Sequence, residues 1–126
     1  MIRIIIHDFI RGGKNNMGVS RSGHHYPKRA WSYWRDKVVS EMAQQTLKDR
    51  FIKSNCAATI YYLAGDRRVR DIPAMVDSLF HCLERAGILE NDSLIKKLSW
   101  VPLGFKRNKP RFEIELEEMK GFVGEK

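Results

Sequence analysis

The residues best suited to chemistry lie in the window 66–95, which reads DRRVRDIPAMVDSLFHCLERAGILENDSLI. Three arginines lie near its start and three aspartates follow: Arg67, Arg68, Arg70, Asp71, Asp77 and Asp92. Mg²⁺ takes oxygen ligands, usually a few carboxylates with water and a substrate phosphate, and it can activate water for phosphodiester hydrolysis. Arginines hold a phosphate backbone against the repulsion of such carboxylates. The window therefore predicts an Mg²⁺ site, which Mn²⁺ could also fill, held by Asp71 and Asp92 with Asp77 as a third ligand.

Each of these carboxylates also has a purely structural interpretation. Asp71 is a favoured residue for a helix N-cap, Asp92 suits an Asx turn, and Asp77 suits an exposed helix position beside an arginine. His81 lies four residues after Asp77 and shares its helix face, but imidazole is a poor ligand for Mg²⁺. Capping and metal binding by Asp71 are compatible with each other.

Composition limits the class of protein. The chain has 126 residues, 43% of them hydrophobic, which predicts one globular domain spanning 1–126. Lys and Arg number 23 against 15 Asp and Glu, so the net charge is +8 and the pI about 9.7. This excess favours a polyanionic partner, because each phosphate neutralised by Lys or Arg releases a condensed counterion. No apolar run approaches the ~18 residues of a membrane span and no signal peptide is recognisable, so a cytoplasmic location is expected.

The two cysteines do not suggest a site. Cys56 and Cys82 lie in separate apolar segments, and neither belongs to a CxxC motif. We therefore predict two buried, reduced thiols rather than a disulfide or a metal centre.

Hydrophobic spacing predicts the elements that must position the window. Strands are expected at 2–9, 55–63, 94–103 and 111–118, helices at 28–50 and 72–86, and a long loop at 10–26. The first helix has one apolar stripe, formed by Trp31, Trp34, Val38, Met42 and Leu47. The order strand, helix, strand, helix, strand, strand indicates an α+β domain with a mixed β-sheet and two main helices on one face.

Polar and basic residues outside the window are further candidates for nucleic-acid contact. The loop 10–26 and the start of the first helix carry Lys14, Asn15, Asn16, Arg21, Lys28 and Arg29. Loops longer than ~12–15 residues are uncommon unless they are functional or disordered, so contact with a DNA backbone is favoured over a merely solvated loop. A second basic segment, Lys106, Arg107, Lys109 and Arg111, is equally compatible with a solubilising surface and with a phosphate clamp.

The same window resembles the core motif of the RusA-type Holliday junction resolvases. That motif runs Arg-Asp-x-Asp-Asn, a Lys three residues later, an Asp four further on, then Ala-Gly and an Asp-Asp pair. Without any gap, Arg70 and Asp71 match its first two positions, Ala86 and Gly87 its Ala-Gly, and Asp92 the second Asp of the pair. The asparagines after the first strand, the helix from Pro27 and the last two strands fall in the same order.

The pattern departs from the family at Pro73, Ala74, Asp77, His81 and Asn91. Pro73 stands where the family has its second Asp, and Asp77 stands where it has a Lys. Asp77 could replace the carboxylate lost at Pro73. The resemblance implies a RusA-like fold, a symmetric dimer, Mg²⁺ dependence and paired nicks at a four-way DNA junction.

These observations predict an endodeoxyribonuclease that resolves branched DNA, with Asp71, Asp92 and Asp77 at the metal and the arginines from Arg67 to Arg70 on the backbone. Two alternatives stay open. One is a RusA-like junction-binding protein that has lost catalysis, which Pro73 and the missing Lys would explain. The other is a generic basic module that binds RNA or unbranched DNA.

Overall fold

The structure is a computed structural model that describes residues 1–12, 17–19, 25–27, 29–46, 51–68 and 70–119. The elements follow in the order β1 (Ile2–Ile6), β2 (Met17–Val19), β3 (His25–Pro27), α1 (Arg29–Gln45), β4 (Cys56–Ala64), α2 (Ile72–Arg85), a 3₁₀ turn (Asp92–Leu94), β5 (Ile95–Phe105) and β6 (Arg111–Glu118). The predicted α+β class, with a mixed sheet and two helices, is confirmed.

Two predicted elements differ from the structure. The expected loop 10–26 contains the antiparallel hairpin β2–β3, in which Gly18 pairs with Tyr26. Strands of three residues are too short to produce a readable hydrophobic period. Helix α1 ends at Gln45 instead of continuing to 50, and the Thr46 hydroxyl donates to the Met42 carbonyl at 2.9 Å just beyond that end.

The main sheet has the strand order β1-β6-β4-β5. Strand β6 is antiparallel to both β1 and β4, whereas β5 is parallel to β4. Strands β1, β4 and β5 therefore end at one edge of the sheet, which we call the carboxyl edge. They begin at the opposite edge, the amino edge, where β6 ends. Helix α2 makes the crossover between the parallel strands and runs from the carboxyl edge to the amino edge.

One face of the sheet carries the core. Burial alternates along the strands, so that Ile4, Ile60 and Ile114 are fully buried while their neighbours are not. Both helices pack on this face. The predicted stripe on α1 is confirmed for Trp31, Trp34, Val38 and Met42, and Leu47 lies outside the described residues. Burial of this apolar surface is the main source of stability.

Helix α1 is aligned against β1 by polar contacts. The Gln45 side chain accepts from the Ile5 amide at 2.9 Å and donates to the Ile5 carbonyl at 2.8 Å. Near the other end, the Trp34 indole donates to the Phe9 carbonyl at 2.8 Å. Helix α1 therefore runs antiparallel to β1, and its first residue, Arg29, lies towards the carboxyl edge.

The cysteine prediction is confirmed, since Cys56 and Cys82 are both free and buried. Burial raises the pKa of the Cys82 thiol to about 12, which keeps it protonated and unreactive near neutral pH. Neither described helix is long and apolar enough to cross a membrane.

Strands β5 and β6 do not pair with each other, because β4 lies between them. Residues 104–110 join the two strands across the end of β4, and we call this connection the β5–β6 hairpin. It is fastened to the loop that follows β4. The Lys106 amide donates to the Ala64 carbonyl at 2.9 Å, and the Asn108 amide donates to the Gly65 carbonyl at 3.0 Å. Asn108 has a left-handed φ of 57°, a conformation that Asn tolerates better than most residues. A Cβ placed on Gly65 would lie 2.8 Å from Cδ of Pro110, so the two segments pack without space for a side chain there.

Gly65→Ala should therefore destabilise the protein by ~1–3 kcal/mol, the usual cost of overpacking against atoms that cannot move freely. Denaturant unfolding of the purified variants would measure the loss. The control is Pro110→Ala: if the clash with the proline ring is the cause, the double variant should be more stable than the sum of the two single effects predicts. Additive effects would contradict this explanation.

Candidate nucleic-acid interface and carboxylate positions

The carboxyl edge brings together basic segments that are distant in sequence. The β4–α2 loop carries Arg67, Arg68 and Arg70, and the hairpin bonded to it carries Lys106, Arg107 and Lys109. This edge therefore concentrates positive charge on two adjacent backbone segments.

Asp66 organises the β4–α2 loop. Its Oδ1 accepts from the Arg68 amide at 3.0 Å and from the Arg70 guanidinium at 2.7 Å. The Arg68 amide, followed by the Arg70 side chain, lowers the pKa of this carboxyl below its ordinary value. The Arg70 side chain is only 24% exposed. In the structure, Arg70 therefore holds the loop through Asp66. The DNA contact that the sequence predicts for Arg70 stays a prediction.

The other two arginines of the loop face outward. The guanidinium of Arg67 lies over the Phe105 ring, 5.0 Å from its centroid, an arrangement that further joins the loop to the hairpin. The Arg68 side chain is 82% exposed and keeps a longer contact of 3.8 Å with Asp66. Both cations are available to a ligand at the carboxyl edge.

Asp71 lies at the carboxyl edge, where it is the N-cap of α2. Its Oδ1 accepts from the Ala74 amide at 3.3 Å, and Pro73 occupies the first turn, where a missing N–H costs nothing. The residue itself is exposed. The capping interpretation is confirmed, and an exposed carboxylate remains available beside the arginines of the loop.

Asp92 lies at the amino edge. The Asx turn expected there is made by its neighbour, because Asn91 Oδ1 accepts from the Ser93 amide at 2.8 Å. Asp92 begins the 3₁₀ turn with its backbone amide donating to Glu84 Oε1 at 3.0 Å, near the end of α2, and it is exposed.

Within one chain, the structure does not bring Asp71 and Asp92 together. The 14 residues of α2 lie between them, and at 1.5 Å per residue these span ~21 Å. Asp77 is an exposed residue ~9 Å along the helix axis from Asp71. Among the described residues, no group of three or more His, Cys, Asp or Glu side chains could hold a metal ion. The convergence of all three carboxylates in a single chain, which the sequence suggested, is therefore not observed.

His81 is exposed and contacts α1 instead of joining a site. Its ring lies 5.7 Å from that of Trp31. Burial, and then the charges of Arg35 and Arg85, lower the pKa of His81, although Glu84 opposes them. The contact between His81 and Trp31 joins α2 to α1.

The predicted DNA contacts after β1 are only partly described. Arg29 is exposed at the first position of α1. Lys14, Asn15, Asn16, Arg21 and Lys28 lie outside the described residues.

Two features of the carboxyl edge were not predicted. The sequence left open whether Lys106, Arg107 and Lys109 were functional, because only the backbone bonds between hairpin and loop bring them next to the arginines. The second feature is the ion pair between Asp66 and Arg70. The spacing of four residues between the two was the one available signal for this pair.

Comparison with known proteins gives one informative similarity. No protein-family model matches the chain. Over 62 residues, 49% of this chain, it is 34% identical to the crossover junction endodeoxyribonuclease RusA of Aquifex aeolicus, of which the match covers 48%. The chain thus spans about half the length of the relative that it matches. This partial similarity points to a RusA-like protein and agrees with the resemblance found in the window 66–95.

Proposed function

We propose that the protein is an endodeoxyribonuclease that cuts branched DNA, in particular four-way junctions, by metal-dependent hydrolysis of the phosphodiester bond. The similarity to a crossover junction endodeoxyribonuclease carries this proposal. The structure supports it with an exposed carboxylate, Asp71, three and four residues along the chain from the exposed arginines Arg68 and Arg67. A polyanion that approaches these arginines passes close to the carboxylate.

Asp71 and Asp92 have the right chemistry to bind a metal ion, but the two residues of one chain are too far apart to share it. Asp71 and Asp92 are oxygen donors of the kind that Mg²⁺ or Mn²⁺ accepts, yet they lie at opposite edges of the sheet. When bound between them, the metal ion would supply an activated water and a stabilised leaving oxygen. Since one chain cannot supply both ligands to one ion, we propose that each site takes Asp71 from one chain and Asp92 from a second, with Asp77 retained as a third ligand.

The outer side of β5, which pairs with no strand that the structure describes, offers a way to bring Asp71 and Asp92 of two chains together. Strand β5 is the last strand of the sheet, and Leu98 on it is 45% exposed. A two-fold axis can pair two copies of an edge strand only in antiparallel fashion. Pro102 has no amide hydrogen, so pairing would use residues 95–101, with Leu98 at the axis. The residues before one β5 would then lie beside the end of the other, which brings each Asp92 towards the carboxyl edge of the second chain.

A mixing experiment tests the shared site. Asp71→Asn and Asp92→Asn should each abolish Mg²⁺-dependent nicking of a synthetic four-way junction, with a loss of roughly 100-fold or more, while Asn keeps the α2 cap intact. Co-expressed in equal amounts, the two variants form heterodimers in which one of the two sites regains both aspartates. Nicking should return to about a quarter of the wild-type rate.

The controls distinguish a misfolded variant from a wrong site assignment. Circular dichroism and sedimentation must first show that both variants fold and dimerise. A mixture that stays inactive would then disprove the shared site. If either single variant nicks like the wild type, the assignment of that carboxylate to the metal is wrong.

Leu98→Asp tests the proposed pairing of β5. Two carboxylates facing each other at the axis should raise the Kd of the dimer by about tenfold or more and reduce nicking in parallel. The control is Leu103→Asp, a leucine of similar exposure (40%) beyond Pro102, which should leave the dimer intact. Sedimentation velocity across a concentration series measures both. Equal effects of the two variants would argue against pairing through residues 95–101.

One observation favours a second candidate, a RusA-like protein that binds junctions without cutting them. Pro73 replaces a family carboxylate, and no cluster of metal ligands is present among the described residues of one chain. This candidate predicts salt-sensitive junction binding with no nicking in Mg²⁺ or Mn²⁺, including by the wild-type dimer.

A further inference from the structure

We propose that the β5–β6 hairpin, residues 104–110, is a phosphate-binding element that holds a nucleic-acid backbone together with Arg67 and Arg68 of the β4–α2 loop. This inference rests on the proposed function, because it takes the ligand of the carboxyl edge to be nucleic acid. It assigns a role to a basic segment that the sequence alone left undecided.

The hairpin has a fixed conformation. A turn is closed by the Lys109 amide, which donates to the Lys106 carbonyl at 3.1 Å. Gly104 supplies a φ of 94°, which favours glycine. Two backbone bonds to Ala64 and Gly65 then fasten the turn to the loop before α2. The backbone that carries the hairpin cations is therefore already ordered. Ligand binding does not have to supply the free energy of ordering it.

Within the described part of the chain, these cations have no acidic partner. Lys106, Arg107 and Lys109 are exposed, and they form no ion pair with any residue that the structure describes. Elsewhere, cations such as Arg3 and Lys37 are held by Glu115 and Asp8 at 2.7 and 3.1 Å. Unpaired cations next to two further exposed arginines produce a local positive potential that attracts phosphate.

An aromatic ring of the hairpin contacts an arginine of the β4–α2 loop. Phe105 is 41% exposed, and the guanidinium of Arg67 covers part of it. This contact holds Arg67 at the junction of the loop and the hairpin. The loop and the hairpin are thereby joined by side chains as well as by backbone bonds, so that a single backbone can contact both.

The test compares two double variants that remove the same charge. Lys106→Gln with Lys109→Gln removes two exposed lysines from the hairpin. Lys53→Gln with Arg3→Gln removes two exposed cations that lie away from the carboxyl edge, Arg3 on the open face of the sheet. Binding of the full chain to a four-way junction, a duplex and a single strand is measured by fluorescence anisotropy at several salt concentrations.

If the hairpin binds phosphates, the slope of log K against log salt for the preferred DNA should shrink by ~2 in the hairpin variant and stay unchanged in the control. Equal changes in both variants would overturn the inference, because general attraction would then explain the binding, while junction preference of the wild type would still support the proposed function. A smaller slope in the hairpin variant with equal binding of all three DNAs would keep the inference and remove the junction specificity. Absence of binding to any of them would end both.

Discussion

The parallel pairing of β4 with β5 sets the positions of both ends of α2 and of the candidate site residues beside them. Two parallel neighbours cannot be joined by a tight turn, so the chain must return along the whole sheet before β5 begins. Helix α2 makes this return, and its apolar face, with Leu79, Cys82 and Leu83 fully buried, covers the sheet on the way. The residues before α2 and those after it are thereby fixed at opposite edges, whatever their side chains do.

The same topology separates charge. The carboxyl edge receives the loops after β4 and β5, which hold the arginines and the hairpin cations. On the open face of the sheet, the central strand β6 presents Glu113 and Glu115, and Arg3 is paired with the second of these at 2.7 Å. A net charge of +8 is therefore not spread evenly. A polyanion would be attracted to the carboxyl edge more than to the open face, where Glu115 offsets the charge of Arg3.

At the carboxyl edge, some polar groups hold the backbone in place, while other polar groups stay accessible to a ligand. Asp66 accepts bonds from the Arg68 amide and the Arg70 guanidinium, which fixes the loop and leaves the Arg68 side chain 82% exposed. Asp71 caps α2 through one oxygen and is itself exposed. Because the cap uses one carboxylate oxygen, the other oxygen stays free for the metal ligation that we propose.

The sequence is enough to predict the class of fold, the order of the main elements and the buried stripe from Trp31 to Met42, because hydrophobic periodicity is a local property and does not depend on which elements pair. It also identified Asp71 as a helix cap, which depends on neighbouring residues alone. It could not determine that Asp71 and Asp92 lie at opposite edges, nor that Lys106 and Lys109 lie beside the arginines. Those relations follow from which strands pair and in which direction, and strand pairing joins residues far apart in the chain. These positions can therefore be read from the folded structure but not from the sequence.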